Sequence, residues 1–551
     1  LYARGHVSAE SAQVFLDARL TDLIEPSRLP GVDEAAERLL AAVKSNRRIV
    51  VYGDYDADGV AATSILWRCL QLAGANVHYH IPARLEDGYG LHCDALDQIH
   101  RDDAGTLVVT VDCGISAVKE ADHARGLGLE LIVTDHHQFA ATLPAADTLV
   151  HPRLPGTDYP FGELCGAAVA FKLAWRLCQH LGDGRKAPAA LREFLVAATG
   201  IAAIGTISDV MPLIDENRVL VRHGLMHLHR HAPLGLRELC RVAGLPEDRP
   251  LSAEEIAYQI GPRINAAGRL GQARLAVELL TTGSPERAAQ LASYLEKENQ
   301  VRQKIERDIG KEARELLASR GDWMQQPVLV LAKAGWHLGV VGIVAGRLAE
   351  EFRKPTVILS LNQQDGTAGG SARTFAGFDW HAALTGCQDL LLKFGGHQAA
   401  AGMKLAADRV DSMRVRLCEF ATKSWTPSTA ESQLNIDAEV RLQDLTLQAV
   451  TDLERLGPFG RGNPRPVLAS SKVELVEPPR KMGAGEQHLS LRVRQQGKVM
   501  RGVAFGRGEW ADDIAAAGNS VSLCYAPTIN RFRGNESVEF QLIDWQPDGQ
   551  S

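Results

Sequence analysis

The apolar positions of this chain change their period along its length. Between residues 46 and 150, short runs of Val, Ile, Leu and Tyr recur at 49–52, 77–81, 107–111 and 129–134, separated by stretches with helical spacing such as 60–73. Runs this short and this continuously apolar predict strands of a parallel sheet covered on both faces, with helices as the crossovers. Residues 1–45 read as amphipathic helices broken at Pro26 and Pro30. A helix is predicted from Ser284-Pro285 to about 319, with Leu291, Leu295, Val301, Ile305, Ile309 and Leu316 near helical spacing, long enough to bridge two domains. Beyond it, 328–331 and 356–359 read as strands around a helical 342–347. From about residue 433 the segments shorten and alternate, and 472–476, 489–493, 499–505, 521–525 and 538–543 predict five strands of a small barrel or sandwich.

A chain of 551 residues has room for two to four such domains. Its formal charge of -7 argues weakly against a nucleic-acid partner, but the distribution alters that picture. Residues 455–507 carry eleven Lys or Arg against three Glu, a local excess of +8. A basic late segment on an acidic protein suggests an anionic polymer held by one part and processed by another. Nine cysteines are scattered without a C-x-x-C pair, and Cys69, Cys113, Cys165 and Cys178 fall in apolar stretches, which reads as reduced thiols of a cytoplasmic protein. No apolar run is expected to span a bilayer and no secretory leader is expected; because the chain opens on Leu1, its natural start is expected to be missing.

The candidate chemistry sits where the predicted strands end. The first runs into Gly53-Asp54-Tyr55-Asp56-Ala57-Asp58-Gly59, where clustered carboxylates suit Mg²⁺ or Mn²⁺. A calcium loop would need a bidentate Glu at its twelfth position, which is Ile65; an acidic solvated turn is the other reading. The strand at 107–111 ends in Asp112-Cys113-Gly114 and that at 129–134 in Asp135-His136-His137. In an open parallel sheet these ends line one crevice, so residues more than eighty positions apart can converge. Asp209 either caps a turn or adds a further carboxylate. The loop 82–90, with Arg84 and Tyr89, is suited to gripping a phosphate and stacking a base, or is a plain surface loop. Residues 261–269, with Arg263, Asn265 and Arg269, read as a glycine-punctuated loop that contacts phosphates or simply turns. Two glycine-rich turns, 369–373 with Ser371 and Arg373 and 394–402 with His397, have the form of an anion cradle. His223, His227 and His231 recur at i,i+4 without a carboxylate or Cys and read as a solvated helix face. In the last segment, the loop 457–464 fits single-strand binding, with Phe459, Tyr525 and Phe532 as stacking partners or as core.

These motifs, in this order, resemble the DHH phosphoesterases, and the 395–402 stretch resembles the signature of the DHH-associated domain. The resemblance implies an α/β chain with a helical segment at 1–45, a parallel-sheet DHH catalytic domain at 46–235 and a helical connector at 236–320. A smaller α/β DHH-associated domain at 321–425, joined by the long helix, and an OB-like β-barrel at 433–551 would follow. It implies two cations, Mn²⁺ or Mg²⁺, held by Asp54, Asp56, Asp58, Asp112, His136 and Asp209, with Asp112 bridging, and leaves open how Asp54, Asp56 and Asp58 divide between them. Asp135 would orient its neighbours and His137 would sit near the substrate phosphate, while Arg84, Tyr89, Arg263, Asn265, Arg269, Ser371, Arg373 and His397 would contact DNA. Relatives acting on small substrates carry a His where this chain has Tyr52. The implied activity is hydrolysis of single-stranded DNA from 5′ to 3′ by a two-metal mechanism, releasing 5′-mononucleotides in repair and recombination. A cytoplasmic monomer is expected, without a membrane, with a single-strand-binding protein and a recombination helicase as partners. Alternatives are a phosphodiesterase for short oligonucleotides or cyclic dinucleotides, a non-catalytic replication scaffold that binds single strands, and a pyrophosphatase.

Overall fold

The computed structural model describes residues 1–83, 88–139, 141–425, 434–483, 485–518, 520–532 and 535–548. The first sheet is parallel, with β1 (Ile49–Gly53), β2 (Val77–His80), β3 (Leu107–Val111), β4 (Glu130–Thr134) and β5 (Thr148–Val150) in the order β2-β1-β3-β4-β5. Every residue of β1 and β3 is buried, as the continuous apolar runs require. The order reverses between β1 and β3, so the chain leaves these neighbours toward opposite faces and opens a crevice at their carboxyl ends.

One face of the sheet carries the helices Ala57–Leu72, Gly166–His180 and Ala189–Ser208, all in one core with Val32–Lys44. Contrary to the expectation that no run could span a bilayer, Ala189–Ser208 is long and apolar enough to cross one. Most of its apolar window is buried inside the protein, and its burial is that of a core helix. Residues 261–269 are not a loop: a π-helical turn, Ile256–Ile260, runs directly into the helix Gly261–Arg269, with Pro262 in the first turn where its missing N–H costs nothing. The long helix is Pro285–Ser319, with Ser284 accepting from the Arg287 amide as its cap.

Beyond it lies a mixed sheet, β6 (Leu329–Ala334), β7 (Thr356–Asn362), β8 (Thr367–Arg373), β9 (Leu391–Gly396) and β10 (Ala400–Ala406), in the order β6-β7-β8-β10-β9. The glycine-rich 369–373 is therefore a strand rather than a turn, and 394–402 spans the ends of β9 and β10 with only 397–399 between them. Among the described residues the last sheet has seven strands, the predicted five, four of them lengthened and 499–505 shifted by one, plus the short β11 (Ala438–Glu439) and β13 (Arg480–Met482). These five are β12 (Leu468–Leu475), β14 (His488–Gln495), β15 (Lys498–Ala504), β16 (Ser520–Phe532) and β17 (Asn535–Pro547), and pairing of β12 with both β16 and β14 closes the barrel. Tyr525 is not a stacking partner: it is fully buried against Phe540 with its hydroxyl 2.7 Å from Ser470 Oγ. The side chain of Phe532 lies outside the described residues.

Candidate metal centre

The loop after β1 turns at once into the helix Ala57–Leu72. Asp56 is its N-cap, its Oδ1 accepting from the Asp58 and Gly59 amides at 2.9 and 3.0 Å. Asn265 Oδ1 accepts from the Ala57 amide at 2.8 Å, so this residue braces the acidic turn. Asp58 points back into the protein, where the amides of Gly166 and Ala167, at the start of the helix Gly166–His180, donate to its two oxygens at 2.7 and 2.9 Å. A helix N-terminus favours such a carboxylate. Asp112 follows β3 in a left-handed conformation, φ 62°, which a non-glycine residue adopts only at a cost.

Asp135 organises the histidines. Its Oδ1 accepts from the His136 and His137 amides at 2.7 and 3.1 Å and lies 2.8 Å from His137 Nδ1, while Oδ2 accepts from the Ile115 amide at 3.0 Å. From the end of β5, Arg153 donates to the His136 carbonyl at 2.9 Å and His151 lies 2.8 Å from that of His137. His136 Nε2 then reaches 3.1 Å from Asp112 Oδ1, 3.6 Å from Asp209 Oδ2 and 3.8 Å from Asp58 Oδ2. Tyr89 turns its hydroxyl inward, donating to the Asp112 carbonyl at 3.3 Å and lying 3.1 Å from His137 Nδ1.

Among the described residues three groups emerge whose ligand atoms lie within 4.8 Å of one another: Asp54, Asp56 and Asp112; Asp58, His136 and Asp209; and, overlapping both, Asp112, Asp135, His136 and His137. Asp112 Oδ1 and His136 Nε2 are buried without a hydrogen-bond partner although they face each other. Burial and the neighbouring carboxylates push Asp58 up to about 6 and Asp209 up to about 8, and Asp112 is driven up by burial, Asp58 and Asp56. A site that raises carboxyl pKa values and leaves an imidazole and a carboxylate oxygen unpaired fits a cation, and oxygen ligands with one imidazole suit Mn²⁺ or Mg²⁺. The two histidines diverge. Burial and the charge of His137 bring His136 down to about 3, a neutral ligand, whereas the bond to Asp135 overcomes burial and takes His137 up to about 9, a cation at neutral pH.

The second sheet closes the crevice from the other side. A Cβ on Gly268 would strike the Tyr55 carbonyl of the acidic turn, and one on Gly339 the Arg269 carbonyl, while Arg269 Nη1 donates to the Gly339 carbonyl at 2.9 Å. Gly339 opens the helix Leu338–Phe352, against which Ser371 and Arg373 of β8 pack at Gly342. His397 feels the charge of His137, which with burial lowers its pKa. Arg269, Ser371 and Arg373 thus meet around the start of the helix Leu338–Phe352, and His397 comes close enough to the cluster to feel His137. Arg263 does neither: it is paired with Glu296 at 2.6 Å and donates to the Gln259 carbonyl at 2.8 Å within the connector. Arg84 lies outside the described residues. Tyr52 is buried and donates to the Gly90 carbonyl at 3.2 Å. The helix face at His223, His227 and His231 is solvated only at its end: His231 is exposed, but His223 is half-buried and lies 2.7 Å from the Ala18 carbonyl. The sequence reading missed Gly166, Gly205 and, just after β5, His151 and Arg153, all of which pack on or bond to the cluster; the small residues at 165–168 hint at the close approach.

Fold and cluster together define a DHH-type phosphoesterase. The descriptions "DHH family, N-terminal domain", "DHHA1 domain" and "RecJ OB domain" match residues 48–201, 325–423 and 436–544. The single-stranded-DNA-specific exonuclease RecJ of Bacillus subtilis (strain 168) is 38% identical over 99% of this chain and 67% of its own length. The crystal structure of Thermus thermophilus RecJ in complex with Mn²⁺ superposes with a TM-score of 0.81 at 32% identity, covering 99% of this chain and 74% of that one. Its Mg²⁺ complex gives 0.74 at 31% identity, with 99% and 73% covered. The chain belongs to the RecJ family of single-stranded-DNA-specific exonucleases.

Proposed function

We propose that this protein is a metal-dependent exonuclease that hydrolyses single-stranded DNA from its 5′ end and releases 5′-mononucleotides. The observation that carries the reading is the facing pair Asp112 Oδ1 and His136 Nε2, buried and unpartnered at the junction of two acidic groups. Asp54, Asp56 and Asp112 would hold one Mn²⁺ or Mg²⁺ ion and Asp58, His136 and Asp209 a second, with Asp112 placed to touch both. Bound there, such ions supply an activated water and neutralise charge on the phosphate under attack. The protein's own groups do the rest. Asp135 holds the His136 backbone through its amide and keeps His137 protonated, a fixed positive charge for a phosphate oxygen, while burial and that charge leave His136 neutral. Arg269, Ser371, Arg373 and His397 offer donors from the opposite wall, and Tyr89 closes one side with a half-exposed ring on which a terminal base can stack. Filled ligand positions favour an enzyme over a binding scaffold, and a basic barrel has no use in cleaving a pyrophosphate. The reading extends to a monomer in a reducing cytoplasm, which the nine free thiols suit, working with a single-strand-binding protein and a recombination helicase.

Digestion of an end-labelled single strand with Mn²⁺ or Mg²⁺, beside a blunt duplex and a dinucleotide, tests substrate, polarity and metal together. Asp112→Ala should abolish hydrolysis with the fold intact. Near-normal turnover in that variant, or equal rates on the dinucleotide and the long strand, would refute the proposal.

A further inference from the structure

The loop 457–464 packs on the turn 210–214 that follows Asp209. It leaves the third domain and docks beside the acidic cluster. The Leu213 amide donates to the Arg461 carbonyl at 2.7 Å, and the Gly460 and Asn463 backbones bond reciprocally at 2.9 and 3.1 Å, making a tight turn with Arg461 and Gly462 at its tip. Both glycines are needed for the contact: a Cβ on Gly460 would come within 2.8 Å of Leu213 Cδ1, and Gly462, at φ 75°, would meet Pro212 at 3.1 Å. Asn463 Nδ2 donates to the carbonyls of Leu456 and Pro458 at 2.9 and 2.8 Å. Arg4 grips the Asn463 side chain, Arg218 donates to the Leu456 carbonyl at 2.8 Å, and Arg465 pairs with Glu254 at 3.1 Å while covering the Phe459 ring.

So much fixed backbone holds up one exposed side chain. Arg461 Nη1 donates to the carbonyl of Val210 at 3.3 Å, the residue directly after the ligand candidate Asp209. Val210 is itself unusual, a β-branched residue at φ 56° and 62% exposed, so the chain is forced outward at that point. Among the described residues no carboxylate lies within ion-pair distance of Arg461, although its charge reaches Asp209, and the exposed guanidinium has donors left for a further anion.

We propose that Arg461 is a phosphate-binding residue for the substrate strand, carried by the third domain to the Asp209 side of the metal centre, where it holds a backbone phosphate other than the one being cut. The inference deepens the proposed function and rests on its single-strand substrate. The opposite wall, with Ser371, Arg373 and His397, already supplies donors for the phosphates of the terminal nucleotide. A cation on the Asp209 side, mounted on a rigid turn, would fix the register of the strand running away from it.

The test is equilibrium binding of a fluorescent single strand of about 12 nucleotides to the full chain with Ca²⁺ in place of the catalytic ion, at several salt concentrations. Arg461→Ala should weaken binding about tenfold, the effect of losing one charge-assisted contact. It should also reduce the slope of log affinity against log salt by about 0.7, the share of one phosphate on a single strand. Arg461→Lys should restore the slope while recovering only part of the affinity, since the guanidinium fork is lost. An unchanged slope in Arg461→Ala would overturn the proposal even if affinity fell, because a residue that only buttresses the Val210 turn does not change the count of phosphates. A wild-type protein that binds the strand with this Arg461 dependence yet never cuts it would support Arg461 and refute the exonuclease; one that fails to bind it would refute both.

Discussion

Gly205 lies inside the helix Ala189–Ser208, where alanine would ordinarily improve the helix by about 1 kcal/mol. Here a Cβ would come within 2.6 Å of Ala167 Cβ and closer still to Asp58 Oδ1. Ordinary contact begins near 3.4 Å, so the helix Ala189–Ser208 and the start of Gly166–His180 must part by about 0.8 Å. Ala167 supplies one of the two amides that hold Asp58, so the carboxylate moves with it. Overpacking of this kind costs about 1–3 kcal/mol, partly offset by the better helix former, and Gly205→Ala is expected to fold with a net loss of less than about 2 kcal/mol. Its catalytic effect should be larger, because misplacing a reactive group by about 1 Å can cost about a hundredfold. We expect kcat at saturating Mn²⁺ to fall about a hundredfold with an unchanged circular dichroism spectrum. Gly126→Ala, with nothing within 4 Å of its Cβ, is the control. Wild-type kcat in Gly205→Ala would refute the claim that the glycine makes room for the ligand, and so would a loss explained by unfolding.

Two other perturbations follow from the buried charges. Lys172 and Glu216 are each 2% exposed and paired, with the Ile24 amide and the Tyr159 hydroxyl also donating to Glu216 at 2.9 and 2.6 Å. Lys172→Met strands that carboxylate and should cost about 3–5 kcal/mol in urea denaturation, whereas Lys172→Met with Glu216→Leu should recover most of it; equal losses in the two would contradict this account. Asp58 and Asp209 titrate near 6 and 8 in the folded protein against 3.8 unfolded, so the stability tied to their neutral forms is complete below about pH 4 and drains away as pH rises through both values. Chelated protein should therefore melt lower at pH 8 than at pH 5, and Mn²⁺ should raise the melting temperature more at pH 8; a metal increment independent of pH would count against these carboxylates as ligands.

The parallel sheet was legible because β1, β3 and β4 are short and apolar at nearly every position, which only a sheet covered on both faces explains. β5 escaped, being three residues long. β8 escaped for a different reason: Gly369-Gly370-Ser371 has the composition of a turn, yet Gly370 is a strand residue because its Cβ would collide with the Ile358 carbonyl of β7. Arg263 read as a phosphate contact because it sits in a glycine-punctuated stretch with Asn265 and Arg269; its partner, Glu296, lies 33 residues on, inside the long helix. The acidic cluster showed through because charge directly after an apolar strand is costly and so stands out. What positions those ligands did not, because the donors to Asp58 and Asp135 are backbone amides of Gly166, Ala167 and Ile115, and an amide leaves no mark on the sequence.

Non-glycine residues in the left-handed region occur at two places around the cluster, Asp112 at φ 62° and Val210 at φ 56°. Each such residue costs about 1–3 kcal/mol. At Asp112 glycine would relieve the strain but remove the carboxylate, and the position is held by its amide donating to the Thr134 carbonyl at 3.1 Å across to β4. At Val210 the amide donates to the Ile207 carbonyl at 3.1 Å, and the carbonyl is taken by Arg461 from the far end of the chain. Strain therefore sits where ligands must be aimed, and the bonds that contain it come from the sheet in one case and from the third domain in the other. Removing the barrel would then do more than shorten the track for a long strand: it would release the turn that follows Asp209. A truncated protein should lose metal affinity as well as strand affinity, whereas a barrel that served only as a tether would leave metal binding untouched.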